Sequence, residues 1–214
     1  MKIIELFKNN EFGILMESIQ VLKRGGIIAA PSDTVYALYG DAASAETVKK
    51  IFSLKARDGK KPMPVFINSF KMLDDVAYVR NEKIKKFLET VWPGKITCVL
   101  PSRGWMPMEL KGGGGLTIGV RMPNYQFINS LIKSFGKPTT GTSANISGRG
   151  NYTDIKNVLN DFKNMPLKPD LFVSAGKLPE SNVSTVVDLT SDEPKTLRGG
   201  TVPEEKIMKI WNTI

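Results

Sequence analysis

Helix-period and strand-like apolar segments alternate along almost the whole chain, and that rhythm restricts it to a layered α/β arrangement. Leu15, Ile19 and Leu22 recur at helical spacing until Gly25-Gly26 stops the helix, and 27–30 is a short apolar run suited to a buried strand. Val48, Ile51 and Phe52 share a second helical face, and 64–67 reads as the next strand. The pattern continues with a helix over 83–88, strands over 96–100 and 116–121, and a helix carrying Phe127, Ile128, Leu131, Ile132 and Phe135 that Gly136 closes. Ile155, Val158, Leu159 and Phe162 make a later helix, and strands fit 171–174 and 184–189. A last helix has Thr201 and Glu204 at capping-box spacing, with Ile207, Ile210 and Trp211 on its apolar side. Between Lys95 and Arg121 no helical period separates the two strands, so part of the sheet should be antiparallel. The expected fold is a mixed, twisted open sheet with helices on its faces, in one domain over 1–214.

Electrostatics and missing residue types narrow the chemistry. Thirty Lys and Arg stand against twenty-one Asp and Glu, a formal charge of +9, and the chain has no histidine. Hydrolases with a histidine base and zinc sites with imidazole ligands are therefore excluded. A single cysteine, Cys98, rules out an intramolecular disulfide and thiolate metal clusters. No apolar run approaches the roughly eighteen residues of a membrane span, and the first residues lack a signal-peptide pattern. A soluble, cytoplasmic protein with no membrane partner is expected. The positive excess fits either a lysine-rich surface or a polyanionic partner such as a nucleotide or RNA.

Three polar segments lie at junctions between elements, the first of them where a strand ends, the position at which α/β sheets hold ligands. Pro31-Ser32-Asp33-Thr34-Val35-Tyr36 is the first; it also reads as a simple turn and cap. Lys55-Ala56-Arg57-Asp58-Gly59-Lys60-Lys61-Pro62 concentrates cations on a constrained backbone suited to phosphate, or else forms a solvated loop. Thr140-Gly141-Thr142-Ser143-Ala144-Asn145-Ile146-Ser147-Gly148 falls one glycine short of a nucleophile elbow and, with no histidine available, suits a hydrogen-bonding ligand loop or a structural one. The glycine run 112–115 has neither the Walker nor the dinucleotide spacing and reads as a mobile connection or a lid. Arg198 precedes Gly199-Gly200, which permit close backbone approach.

Taken in order, Ser32-Asp33-Thr34-Val35-Tyr36, Lys55-Ala56-Arg57 with Lys61-Pro62, Trp92-Pro93-Gly94, Val120-Arg121-Met122-Pro123, Ser143-Ala144-Asn145-Ile146-Ser147-Gly148, Ser184-Thr185-Val186-Val187-Asp188 and Leu197-Arg198-Gly199 resemble the YrdC-like family. The resemblance implies a YrdC-like sheet around a large basic cavity. It also implies synthesis of L-threonylcarbamoyladenylate and pyrophosphate from threonine, bicarbonate and ATP, an activity of the nucleotidyltransferase class that serves threonylcarbamoyladenosine modification of tRNA. Magnesium would bridge the phosphates without a dedicated protein metal site, and a downstream threonylcarbamoyl transferase complex would take the product. The length matches the single-domain form of the family.

By motif, the resemblance assigns catalysis to Lys55, Arg57, Ser143 and Asn145. It gives ATP contacts to Arg57, Lys61, Thr117, Ser143, Asn145, Asn151 and Arg198. Threonine contacts fall to Thr34, Phe66, Arg121, Gly141 and Ser184, with Arg121 pairing with the carboxylate. Departures from the family pattern are Asp58 for proline, Ala37 for glycine, Phe66 for a frequent histidine, and Asn151-Tyr152 for small hydroxyl and proline residues. The competing expectations are a non-catalytic module binding double-stranded RNA or tRNA, and a paralogue activating a different co-substrate.

Overall fold

The computed structural model describes residues 1–59 and 61–214; Lys60, one of the cations in the second polar segment, lies outside the described residues. In chain order the strands are β1 (Lys2–Glu5), β2 (Ile28–Ala30), β3 (Ala37–Tyr39), β4 (Val65–Phe66), β5 (Ile96–Pro101) and β6 (Lys111–Gly112). They continue as β7 (Thr117–Arg121), β8 (Thr139–Thr140), β9 (Thr142–Ser143), β10 (Leu171–Ser174), β11 (Thr185–Asp188) and β12 (Lys195–Arg198). The helices are α1 (Glu11–Lys23), α2 (Ala45–Leu54), α3 (Phe70–Val76), α4 (Glu82–Val91), α5 (Gln126–Phe135), α6 (Ile155–Phe162) and α7 (Glu204–Thr213).

The mixed α/β expectation holds, with the strands divided between two sheets where one was expected. The first runs β1-β10-β2-β3-β9, parallel from β1 to β2 and antiparallel beyond. The second runs β12-β11-β5-β7-β4-β8, with β6 added on β7. In it β5 and β7 pair antiparallel with Cys98 opposite Val120, as the missing helical period between them predicts.

Alternation along the strands explains how the first sheet is filled on both faces. Ile28 and Ala30 of β2, Tyr39 of β3, and Leu171 and Val173 of β10 point to one core with Ile14, Ile19 and Leu22 of α1 and Phe127, Ile128, Leu131 and Ile132 of α5. Ala29, Leu38 and Phe172 point the other way, into a larger core shared with the second sheet through Val65, Cys98, Leu100, Ile118, Val120 and Val187. Each fully buried Leu, Ile, Val or Phe in these clusters contributes roughly 1.5–3 kcal/mol of transfer free energy.

Residues 139–143 connect the sheets. β8 belongs to the second and β9 to the first, with Gly141 between them. The loops after β2 and β7 and the segments at the ends of β4, β11 and β12 meet at this crossover.

Thr201 does not cap the last helix. Pro203 takes the cap position of α7 with no side-chain cap bond, and the Thr201 hydroxyl donates to the carbonyls of Asn182, at 2.7 Å, and Val183, at 3.1 Å. The hydroxyl is committed to the segment before β11. The glycine run 112–115 forms the end of β6 and a short 3₁₀ turn.

Candidate active site

A cleft at the sheet crossover, open to solvent at one side, has a cavity volume of about 90 Å³. Its walls include Ser32, Thr34, Arg57, Phe66, Arg121, Gly141, Ser143, Ser184 and Arg198. Eight of the residues expected from the family motifs thus come together from segments up to 164 positions apart in sequence, Thr34 to Arg198.

Arg121 forms the buried floor. It is 2% exposed and leaves the end of β7, where its Nε donates to the Gly94 carbonyl at 2.8 Å, Nη1 to Thr34 Oγ1 at 3.2 Å, and Nη2 to Asp33 Oδ1 at 2.6 Å. The second Asp33 oxygen accepts from the Asn124 amide at 3.0 Å. A guanidinium has five N–H donors, so these three bonds fix its plane and leave two N–H for a ligand. Burial lowers the Arg121 pKa, and the Asp33 carboxylate opposes that shift and keeps the guanidinium charged. The turn reading of the first segment holds too, since Ser32 Oγ accepts from the Thr34 amide and donates to the Val35 carbonyl.

Phe66 lies beside this floor, edge-on to Tyr39 and with the Arg121 guanidinium 5.4 Å from its ring centre. Its ring occupies the space that a side chain at position 141 would need: a Cβ there would stand 2.1 Å from two Phe66 ring atoms. Glycine at the crossover is thus a packing requirement. Gly200 is similar, since a Cβ would stand 2.4 Å from the Val183 carbonyl oxygen, and this close approach brings the end of β12 against Ser184. Arg198 Nη2 then donates to the Ser184 carbonyl at 2.8 Å, and the Ser184 hydroxyl shares a hydrogen bond with Thr97 Oγ1 at 2.8 Å.

Arg57 sits on the opposite wall, with its Nε on the Lys61 carbonyl and Nη2 on the Pro62 carbonyl at 3.0 and 2.9 Å. The loop therefore grips its own guanidinium, and the negative charge of Asp58 opposes the effect of burial on it. Arg198 is exposed as a residue, yet partial desolvation of its guanidinium and the positive fields of Arg57 and Arg121 all lower its pKa. Three like charges facing one space favour an anionic occupant.

Lys55, assigned to catalysis by motif, does not line the cleft. It ends α2, is 1% exposed, and points beneath the 143–145 loop, where Nζ donates to the Ser143 carbonyl at 2.5 Å, the Asn145 carbonyl at 2.8 Å and Asn145 Oδ1 at 2.7 Å. All three ammonium protons are used. Asn145 likewise lies behind the wall: its Oδ1 also accepts from the Ser143 hydroxyl at 2.8 Å, and its Nδ2 donates to the carbonyls of Arg149 and Gly150. Burial pulls the Lys55 pKa down to about 7, Arg57 adds to the shift and Asp161 opposes it.

Besides Asn145, three more of the expected ATP contacts stand outside the cleft lining. Lys61 is exposed and offers its carbonyl to Arg57. Thr117 lies at the edge where the β6 turn meets Pro62. Asn151 lines an adjoining recess with Ser181, Asn182, Gly199 and Gly200, which meets the cleft at Val183. Asp33 and Asp161 carry site geometry that sequence reasoning missed.

The family model for Sua5, YciO and YrdC proteins, described as "Telomere recombination", matches residues 20–200. The chain belongs to the Sua5/YciO/YrdC family. It is 34% identical over 193 residues to threonylcarbamoyl-AMP synthase of Pyrococcus abyssi, covering 90% of this chain and 56% of that one. A putative threonylcarbamoyl-AMP synthase of Methanocaldococcus jannaschii is 28% identical, with 97% of each chain covered. The crystal structure of Pyrococcus abyssi Sua5 complexed with L-threonine superposes with a TM-score of 0.89 at 33% identity, over 98% of this chain and 61% of that one. The chain thus spans little more than half the length of its Pyrococcus relative. Within this Sua5/YciO/YrdC frame the cleft lining contains arginines, hydroxyls and an aromatic ring but no carboxylate, and no acidic cluster able to hold a metal occurs among the described residues. No described helix is long and apolar enough to cross a membrane.

Proposed function

We propose that residues 1–214 act as one catalytic module that makes L-threonylcarbamoyladenylate from threonine, bicarbonate and ATP, releasing pyrophosphate, as a step toward threonylcarbamoyladenosine in tRNA. The convergence of Arg57, Arg121 and Arg198 with the hydroxyls of Thr34, Ser143 and Ser184 in one cleft carries this reading. The named relatives support it.

Threonine's amine adds to bicarbonate-derived carbon with loss of water, giving an N-carboxylate. One of its oxygens attacks the α-phosphorus of ATP, and the bond from that phosphorus to the bridging oxygen breaks to release pyrophosphate. The nucleophile is a substrate carboxylate, so the chain need supply neither a nucleophile nor an imidazole base. Its contribution is position and positive charge where negative charge shifts during displacement.

The two spare N–H groups of Arg121 take the threonine carboxylate in the buried end of the cleft, with Thr34 on the threonine side chain and Phe66, Gly141 and Ser184 closing the pocket. Arg57, Arg198 and Ser143 hold the phosphates toward the mouth, and Thr117, Lys61 and Asn151 extend the nucleotide site outward. Lys55 and Asn145 support Ser143 from behind. Magnesium enters with ATP as part of the substrate, bridging phosphate oxygens, since the lining hydroxyls fit at most an outer contact to it.

A narrow cleft whose deepest cation is 2% exposed favours small anions over a duplex, which needs cations on an open face. Incubation with threonine, ATP and ¹³C-bicarbonate should yield an adenylate that carries the label by mass spectrometry; an unlabelled adenylate, or none, would refute the reading. Delivery of the adenylate to a tRNA-modifying transferase belongs to the same proposal.

A further inference from the structure

The loop expected to hold phosphates, residues 143–151, rests between two buried charges of opposite sign. Lys55 receives its carbonyls, at Ser143 and Asn145. On the other side Asp161, 7% exposed on the inner face of α6, receives its N–H groups: Oδ2 accepts from the Ile146 amide at 3.0 Å, and Oδ1 from Arg149 Nη1 at 2.8 Å. The charged Arg149 side chain is itself 59% exposed, so the buried partner in that pair is the carboxylate alone. A cation on the Ser143 and Asn145 carbonyls and an anion on the Ile146 amide fix the peptide units between them, and the Arg149 side chain ties the loop to the same carboxylate. Asn145 completes the clamp by donating to the carbonyls of Arg149 and Gly150.

We propose that Asp161 is a positioning residue for the nucleotide: by holding Ile146 and Arg149 it sets the loop that presents Ser143 to phosphate, without touching substrate itself. The inference rests on the nucleotide reading of the cleft. Asp161 holds the 146–149 loop, whereas the floor at the threonine end is held by Asp33, Gly94 and Thr34 through Arg121. The effect of losing Asp161 should therefore separate the two substrates. The sequence carries a signal for it, since Asp161 stands three residues after Val158 on the buried side of α6, where a solvated acid has no reason to be.

The test is calorimetric binding of a non-hydrolysable ATP analogue and, separately, of threonine to wild type, Asp161→Asn and Arg149→Gln. Asparagine keeps one acceptor and loses the charge, so Asp161→Asn should weaken the analogue about tenfold, the scale of one charge-assisted hydrogen bond, with threonine affinity within about twofold. Arg149→Gln leaves the Ile146 contact and should weaken the analogue about threefold. Unchanged analogue affinity in Asp161→Asn, or equal weakening of both ligands, overturns the assignment. If Asp161→Asn does not fold, Arg149→Gln decides: a loss supports it and wild-type affinity overturns it. A wild-type protein that binds no analogue overturns the nucleotide reading itself, a result distinct from either variant's.

Discussion

Arg121 Nη2 and Asp33 Oδ1 lie 2.6 Å apart with both side chains almost wholly buried. The acid from the β2 loop therefore orients the floor cation before any substrate arrives. Removing one partner of such a pair leaves an uncompensated buried charge, so Asp33→Ala should lower folding stability by about 3–5 kcal/mol in urea unfolding. A loss below about 1 kcal/mol would show that the pair is not buried in solution.

Lys55 gives the protein a pH signature. In the unfolded chain its ammonium has the ordinary value of 10.5, whereas in the fold burial brings it down to about 7. Between those values the unfolded state binds more protons, so the contribution of this group to stability rises with pH across the window and is smallest below 7. A polyanion held nearby raises the folded value again. Binding of ATP at pH 8 should therefore take up protons, measurable as a dependence of binding heat on buffer ionisation enthalpy. Identical heats in phosphate and Tris buffers would contradict it.

Position 141 offers a paired test. In Gly141→Ala the new methyl overlaps the Phe66 ring and should cost about 1–3 kcal/mol and most threonine affinity. Adding Phe66→Leu, which clears the ring atoms, should restore part of both. Strict additivity of the two changes would mean that the residues do not meet.

Arg57 and Lys61 should differ. Arg57→Ala removes a lining guanidinium and should lower turnover by roughly tenfold to a thousandfold. Lys61→Ala leaves the carbonyl that holds Arg57 and removes only an exposed ammonium, so a change below about tenfold is expected. Equal, large losses in steady-state kinetics would place Lys61 on the phosphates directly.

The elements with a strong local period were legible in advance: the stripe Phe127, Ile128, Leu131 and Ile132 marks α5, and 171–174 matches β10 residue for residue. What was not legible depends on non-local pairing. β3 has three residues and β8 and β9 two each, too short for any period, and their partition between two sheets depends on the Gly141 crossover. α3 was missed although Ser69 caps it and Leu73 and Val76 are buried from it, because seven residues give barely two turns. Motif order located the cleft, and Thr34, Arg57, Phe66, Arg121, Gly141, Ser143, Ser184 and Arg198 do line it. It could not show that Lys55 faces inward, because a charge run looks the same whether its first member is solvated or buried. Asp161 has a readable signal of its own, an acid on the apolar face of α6, outside every motif.

The proposed reaction carboxylates threonine and then joins that carboxylate to the α-phosphorus of ATP within one cleft. Pyrophosphate release from ATP, followed with threonine and bicarbonate each omitted in turn, tests it most directly. Release is expected only when both are present, and slowed by roughly tenfold to a thousandfold in Arg57→Ala. Release that is as fast without threonine, or that does not occur with all three substrates, would contradict it.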